Sequence, residues 1–231
     1  MKNETAITGN LSDFLMAIGA LEQRKERILI GSGKAGFGKT TMMIYAANSI
    51  NAAVISANAS WTVKWMLSDL CDQLSIRRSG SVQAMYESII LQLKDSKRNI
   101  FVDEANLLVE GRDFKSILVI LSMLYRIHDE AQVGIVILGQ STFPEYVRSR
   151  ANQSESIGAF TQRCARWIDF KPCGFDDARL IANARLEVKI TDDQLSAISI
   201  KSKGNTRELI MLLTEYERTE KAKIKPASKE G

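Results

Sequence analysis

A glycine-rich turn, set between an apolar run and a helical stretch, constrains this chain more than any other feature. Residues 28–30 have the composition of a short buried strand, and residues 40–47 have that of the first turns of a buried helix. The turn between them fits the pattern G-x-x-x-x-G-K-[ST], which binds phosphate when a strand precedes it and a helix follows it. The residues that define the pattern are Gly33, Gly38, Lys39 and Thr40.

The residue types in this turn suit a bound nucleoside triphosphate. Glycines let backbone N–H groups approach phosphate oxygens closely, and the following helix adds unpaired N–H groups and the positive end of its dipole. Lys39 supplies a positive charge to the β- and γ-phosphates, and the Thr40 hydroxyl is a ligand for Mg²⁺. We therefore expect ATP and Mg²⁺ as cofactors. The predicted nucleotide-binding residues of the turn are Gly33, Lys34, Ala35, Gly36, Phe37, Gly38, Lys39, Thr40 and Thr41.

Two further apolar runs end in polar side chains. Residues 100–102 lead into Asp103 and Glu104, and residues 134–139 lead into Gln140. Asp103 suits holding Mg²⁺, directly or through water, and Glu104 suits orienting and deprotonating an attacking water. Because ligands of parallel α/β sheets bind at the carboxyl ends of the strands, we expect these side chains to converge on the glycine-rich turn.

The order of apolar runs and helical stretches predicts the fold class. Their alternation is typical of a largely parallel sheet covered by helices on both faces, whereas the pattern from residue 174 onward is helical only. We predict an α/β fold, a P-loop three-layer parallel sheet over residues 1–172, with a small all-helical C-terminal lid over residues 173–220. Residues 221–231 are basic and contain a proline, so we expect a disordered tail.

Composition sets the expected environment of the protein. The net charge of +4 permits nucleic-acid binding without requiring it. No apolar run approaches the roughly 18 residues of a membrane span, so we expect no membrane partner. The N-terminus lacks an apolar signal segment, and the three cysteines have no metal-like spacing, which indicates free thiols. These features predict a cytoplasmic protein.

The motifs and their order resemble those of AAA+ ATPases. The turn around Lys39 is similar to the Walker A motif, and the run that ends in Asp103 and Glu104 is similar to Walker B. Gln140 lies where the family has its polar sensor 1 residue. That residue is often Asn, so Gln is a departure, and Ser141 is a second candidate. The resemblance implies ATP hydrolysis.

Two arginines match further elements of the family pattern. Residues 204–207 are similar to the sensor 2 motif at the start of a lid helix, which implies that Arg207 reaches the γ-phosphate of its own subunit. Arg163 resembles the arginine finger that completes a neighbouring subunit's site, with Arg150 and Arg166 as alternatives. A finger supplied in trans implies a head-to-tail homo-oligomer, either a ring or a helical filament. The implied catalytic residues are Lys39, Asp103, Glu104, Gln140, Arg163 and Arg207, with Thr40 and Asp103 on the metal.

A narrower resemblance involves residues 54–67. This segment is similar to one in transposition ATPases of the TnsC and phage Mu B type, where a Thr-x-Lys-like element opens a helix that faces DNA. The resemblance extends over roughly residues 5–220 and implies double-stranded DNA and a transposase as partners. It also implies that the cytoplasm is that of a bacterial or phage-infected host cell. The candidate DNA-binding residues would contact phosphates, which position a protein without reading sequence. They are Lys64, Arg77, Arg78, Ser79 and Ser81.

The expected function is therefore an ATP-dependent, largely sequence-independent DNA-binding ATPase. It would oligomerise on duplex DNA and regulate transposition by recruiting and activating a transposase and selecting target DNA. One alternative is a replication initiator or helicase loader with the same core, and another is a secretion or signalling ATPase that does not bind DNA. ATP-dependent duplex binding separates the first two from the third, and transposase-stimulated hydrolysis separates the first from the second.

Overall fold

The computed structural model describes Lys2 and residues 4–22, 28–78 and 80–224. These residues form five strands and ten α-helices, with one short 3₁₀ helix at Ala105–Leu108. The strands are β1 Ile28–Ser32, β2 Ala53–Ser56, β3 Ile100–Asp103, β4 Ile135–Gly139 and β5 Cys164–Asp169. The helices are α1 Gly9–Glu22, α2 Lys39–Ile50, α3 Val63–Gln73, α4 Val82–Ser96, α5 Phe114–Ala131, α6 Thr142–Arg150, α7 Glu155–Gln162, α8 Phe175–Arg185, α9 Asp192–Ser202 and α10 Thr206–Ile224.

The five strands form one parallel sheet in the order β2-β3-β4-β1-β5. β1 lies between β4 and β5, and its residue Ile30 pairs with Ile137 on one side and Trp167 on the other. A helix lies between every two consecutive strands of the chain, as parallel connections require. This arrangement confirms the predicted α/β fold.

The central strands β1, β3 and β4 are buried on both faces because they are apolar along nearly all of their length. Ile30 and Val102 belong to one large cluster, which includes Leu121 of α5. Side chains alternate along a strand, so Phe101 projects to the opposite face, where its ring lies 6.5 Å from that of Phe14 in α1. Apolar strands without alternation are typical of parallel sheets covered on both sides.

The polar residues that end the strands lie at one edge of the sheet. The register pairs Ser32 with Gly139 and with Asp169, and it pairs Ser56 with Asp103. Because the strands are parallel and nearly in register, their carboxyl ends meet at this edge. The edge is the place where α/β proteins bind their ligands.

The chain divides into two compact units. The larger unit comprises Phe14–Lys34 and Lys39–Phe170, and it contains the sheet. The smaller unit comprises Met1–Asp13, Ala35–Gly38 and Lys171–Gly231, so the middle of the glycine-rich turn is grouped with the C-terminal helices.

The C-terminal helices of the smaller unit surround an apolar centre of their own. Ala178 of α8, Leu195 of α9 and Leu209 of α10 are buried in it. Thr191 and Gln194 form a capping box at the start of α9, as their spacing predicts.

The last helix, α10, continues to Ile224. Four residues of the expected disordered tail, 221–224, are therefore helical, and residues 225–231 lie outside the described part of the chain. No helix among the described residues is long and apolar enough to cross a membrane.

Candidate nucleotide-binding site

The glycine-rich turn follows β1 directly and leads into α2, as the pattern predicts. Gly33 is buried, and its N–H donates to the carbonyl of Gly139 at the end of β4, at 3.3 Å. Gly36 has a φ of 84°, a backbone conformation that residues with a Cβ rarely adopt. Helix α2 begins at Lys39, so its first N–H groups are available to an anion at the turn.

The side chain of Lys39 folds back over the turn. Its Nζ donates to the carbonyl of Gly33 at 2.8 Å and to the carbonyl of Lys34 at 3.0 Å. The ammonium group thus lies within the curve of the backbone that the motif assigns to phosphates. A phosphate oxygen is a stronger partner than a carbonyl because the bond then joins two charges.

Thr40 and Asp103 meet although 63 positions separate them in the chain. The Thr40 hydroxyl donates to Asp103 Oδ2 at 2.7 Å. Asp103 is only 5% exposed, and its other carboxylate oxygen accepts the N–H of Glu104 at 2.8 Å. This pair fits Mg²⁺, because the ion prefers oxygen ligands and is held by one or two protein groups together with phosphates and water.

Glu104 follows the buried strand β3 in an unusual conformation. Its φ of 54° and ψ of 35° are left-handed, and its side chain is exposed. A residue with a Cβ pays about 1 kcal/mol or more to adopt these angles. The residue in this conformation carries an exposed carboxylate and follows Asp103 directly.

Gln140 and Ser141 both lie at the end of β4, but their surroundings differ. Gln140 is half-buried, and its N–H donates to Asn106 Oδ1 at 3.3 Å. Ser141 is exposed at the start of α6 and its side chain makes no capping bond there.

Asn106 is the residue that sequence reasoning missed at this edge. It is 2% exposed and lies in the short 3₁₀ helix after Glu104. The sequence signal that could have identified it is a single amide side chain in the otherwise apolar run 105–109.

Arg207 lies beside the middle of the turn, and both belong to the smaller unit. Its backbone N–H donates to the carbonyl of Gly36 at 3.2 Å, and its side chain is exposed. A Cβ on Gly36 would lie 2.3 Å from the side-chain amide of Asn205, so the two segments are in close contact. Asn205 Oδ1 also accepts the N–H of Glu208 in the first turn of α10.

The three candidate finger arginines lie at the end of α6, at the end of α7 and on β5. Arg163 ends α7, with its guanidinium 5.9 Å from the centre of the Tyr125 ring. Arg150 donates to Gln153 Oε1 at 2.5 Å, whereas Arg166 is exposed on β5. Within the described residues, none of the three forms an ion pair.

Three of the candidate DNA-binding residues lie at one end of α3 or shortly beyond the other end. Lys64 is exposed in the first turn of this helix, where Thr62 is the N-cap. Beyond the other end, Arg77 is exposed, and Arg78 forms an ion pair with Asp72 that lowers the pKa of this carboxyl.

The remaining two candidates are serines. The Ser81 hydroxyl accepts the N–H of Ala84 and so caps α4, at 3.1 Å. Ser79 lies outside the described residues.

The comparisons with known proteins agree with this fold. A family model described as an AAA domain matches residues 22–147, more than half of the chain. No curated protein matches the chain.

Two solved structures are similar across almost all of this chain. The ORC2 protein of Aeropyrum pernix, solved in ADPNP–ADP complexes, has a TM-score of 0.68 and 16% identity, with 96% of this chain and 66% of that chain covered. Cdc6p from Pyrobaculum aerophilum has a TM-score of 0.64 and 16% identity, with 94% and 63% covered. This chain thus spans less than two thirds of either protein, and at this identity the similarity shows the fold alone. The family model, together with the parallel sheet and its glycine-rich turn, establishes that the chain belongs to the AAA domain family.

Proposed function

We propose that this protein is an ATPase that binds duplex DNA in an ATP-dependent, largely sequence-independent manner, oligomerises on it and regulates transposition. The proposal of ATPase activity rests on the hydrogen bond between Thr40 and Asp103. Lys39 precedes Thr40 in the chain, and Glu104 follows Asp103. This set supplies a phosphate-binding turn, two oxygen ligands for a cation and one exposed carboxylate. Hydrolysis of a terminal phosphate needs these groups.

Residues of the larger unit have separate roles in hydrolysis. Lys39 leaves the carbonyls of the turn and binds the β- and γ-phosphates, while Glu104 orients the attacking water and accepts its proton. Gln140 contacts the γ-phosphate or the water from the end of β4. Thr40 and Asp103 would hold Mg²⁺, which would supply positive charge to offset the negative charge that develops on the phosphate oxygens.

Assembly follows from a guanidinium supplied by the neighbouring copy. Arg163 is half-buried at the end of α7, and no carboxylate among the described residues pairs with it. The family resemblance assigns Arg207 to the γ-phosphate of its own subunit. ATP at each contact then stabilises the assembly, and hydrolysis weakens it because the bridging charge is lost.

DNA binding is assigned to Lys64, Arg77, Arg78, Ser79 and Ser81 as phosphate contacts. A transposase, recruited to the ATP-bound assembly, would stimulate hydrolysis and so select the target DNA. The support for this part is the resemblance around residues 54–67 together with the exposure of Lys64 and Arg77.

A second candidate is a replication-initiator type of ATPase. The similarity of the fold to ORC2 and Cdc6p favours it, and the ORC2 structure contains ADPNP and ADP. This candidate shares the ATP site and the binding of duplex DNA with the first. The two differ in the protein that stimulates hydrolysis.

Electron microscopy of the protein with duplex DNA tests the proposal. We expect ring or filament assemblies with a non-hydrolysable ATP analogue and none without nucleotide. A monomer under both conditions contradicts assembly, and assemblies that form equally without DNA favour a protein-directed ATPase. Stimulation of hydrolysis by a transposase would favour a role in transposition over one in replication initiation.

A further inference from the structure

The end of β4 is held from two sides within the larger unit. The carbonyl of Gly139 accepts the N–H of Gly33, which ties β4 to the first residue of the glycine-rich turn. The next residue, Gln140, donates its N–H to Asn106 Oδ1 at 3.3 Å. The end of β4 therefore connects the turn to the segment that follows Glu104.

Asn106 uses both atoms of its side-chain amide. Oδ1 accepts from Gln140, and Nδ2 donates to Glu110 Oε1 at 3.2 Å. The residue is 2% exposed, so a lost partner could not be replaced by bulk water. A buried amide with two partners fixes the positions of the segments that it joins.

The backbones of these segments approach each other closely. A Cβ on Gly139 would lie 2.9 Å from the backbone nitrogen of Asn106, a distance that permits only glycine. On the other side, the carbonyl of Glu104 accepts the N–H of Leu107 at 2.9 Å, which holds the left-handed turn at Glu104. The positions of Glu104 and Gln140 are thus coupled through Asn106.

We propose that Asn106 is a positioning residue for ATP hydrolysis, which sets the separation between the Glu104 carboxylate and the Gln140 side chain. The inference rests on the proposed ATPase function. Both side chains must lie within about 3 Å of the same water or phosphate oxygen for proton transfer to occur. Asn106 itself contacts neither nucleotide nor water and acts only through the two residues that it holds.

The chain contains a matched control at the opposite edge of the same two strands. Asn99 Oδ1 accepts the N–H of Gly134 at 2.7 Å, immediately before β3 and β4 begin. Asn99→Ala removes the same kind of bond between the same strands, but at the edge away from Glu104. A purely structural role for Asn106 predicts that Asn106→Ala, like Asn99→Ala, loses stability but keeps its turnover.

The experiment compares wild type, Asn106→Ala and Asn99→Ala in three measurements. These are turnover at saturating Mg·ATP, ATP affinity by equilibrium titration, and the midpoint of urea unfolding. We expect Asn106→Ala to lower turnover about 10- to 100-fold, because a displacement of about 1 Å has effects of this size. ATP affinity should change less than about twofold, since the affinity derives from the turn. Asn99→Ala should lower the unfolding midpoint less, because Asn99 is half-buried, and should leave turnover near that of wild type.

A conservative exchange of donor and acceptor tests the hydrogen bonds directly. N106D keeps the acceptor for Gln140 but places a second carboxylate against Glu110, so turnover should fall. Adding E110Q restores a donor to the new carboxylate, and the double variant N106D/E110Q should recover most of the turnover. Amide hydrogen exchange at Gln140 should accelerate in Asn106→Ala and not in Asn99→Ala.

Two results overturn the inference. One is an equal loss of turnover in both alanine variants, and the other is normal turnover in Asn106→Ala with accelerated exchange at Gln140. A wild-type protein that binds ATP without hydrolysing it overturns the proposed ATPase function as well. The first two results leave that function intact, so the failures are distinguishable.

Discussion

The carboxyl edge of the sheet and the two ends of α3 are both proposed contact surfaces, yet they are built in opposite ways. At the sheet edge, Asp103 is 5% exposed and joined to Thr40, and a left-handed backbone fixes Glu104. Around α3, Lys64 and Arg77 are exposed, and neither forms an ion pair with a described residue. Chemistry at the first surface depends on backbone geometry, whereas the second offers charges on flexible side chains. The first surface should therefore respond sharply to single substitutions and the second only gradually.

The largest effect is expected from Lys39→Ala. Removal of the ammonium group leaves bound phosphates without their nearest positive charge, which should weaken ATP binding by about 2–5 kcal/mol. In the dissociation constant this is at least roughly a 30-fold change. Titration with a fluorescent ATP analogue measures it, with Lys115→Ala, an exposed lysine in the first turn of α5, as the control. Equal affinities for the two variants would remove the glycine-rich turn from the nucleotide site.

A graded effect is expected from the charges around α3. Each phosphate that is neutralised adds about 0.9 to the slope of log affinity against log salt concentration. Lys64→Ala and Arg77→Ala should each lower the slope by about that amount, whereas Arg78→Ala should lower it less because Asp72 already pairs with Arg78.

Titration of labelled duplex DNA over a range of salt concentrations measures these slopes. Lys201→Ala, exposed on α9, is the control for a general loss of charge. If Lys64→Ala and Arg77→Ala keep the wild-type slope, neither residue contacts DNA.

The smallest expected change in free energy concerns the stability of the strained backbone at Glu104. Glu104→Gly should raise the free energy of unfolding by about 0.5–1 kcal/mol, because glycine adopts positive φ without a clash, and should abolish hydrolysis. Urea unfolding measures the first quantity and phosphate release the second. Lys97→Gly relieves the same strain at the end of α4, where φ is 53°, and should stabilise the protein without loss of hydrolysis. A destabilised Glu104→Gly would show that the left-handed turn is not strained.

The sequence predicts the sheet and its polar edge because those features depend on short-range patterns. Apolar runs of four or five residues become the strands, and the spacing from Gly33 to Thr40 fits only one kind of turn. The pattern also indicates which strands end in Asp103 and Gln140, and the parallel order of the sheet brings these ends to one edge. What remains a prediction is the role of each side chain toward a nucleotide.

Long-range partners are what the pattern does not predict. Neither the bond from Gln140 to Asn106 nor the contact of Asn205 with Gly36 has a local signature, because each joins segments more than 30 positions apart. The roles of Arg78 and Ser81 are equally hidden. One is paired with a carboxylate and the other caps a helix, and both residue types are ordinary in polar loops.

The claim that this edge of the sheet hydrolyses ATP is tested most directly by two measurements on Glu104→Gln. These are the rate of phosphate release and the affinity for Mg·ATP. The substitution preserves size and hydrogen bonding but removes the base, so the rate should fall roughly 100-fold or more while the affinity stays within about twofold of wild type. Wild-type rates in Glu104→Gln would contradict the assignment of Glu104 as the group that activates water.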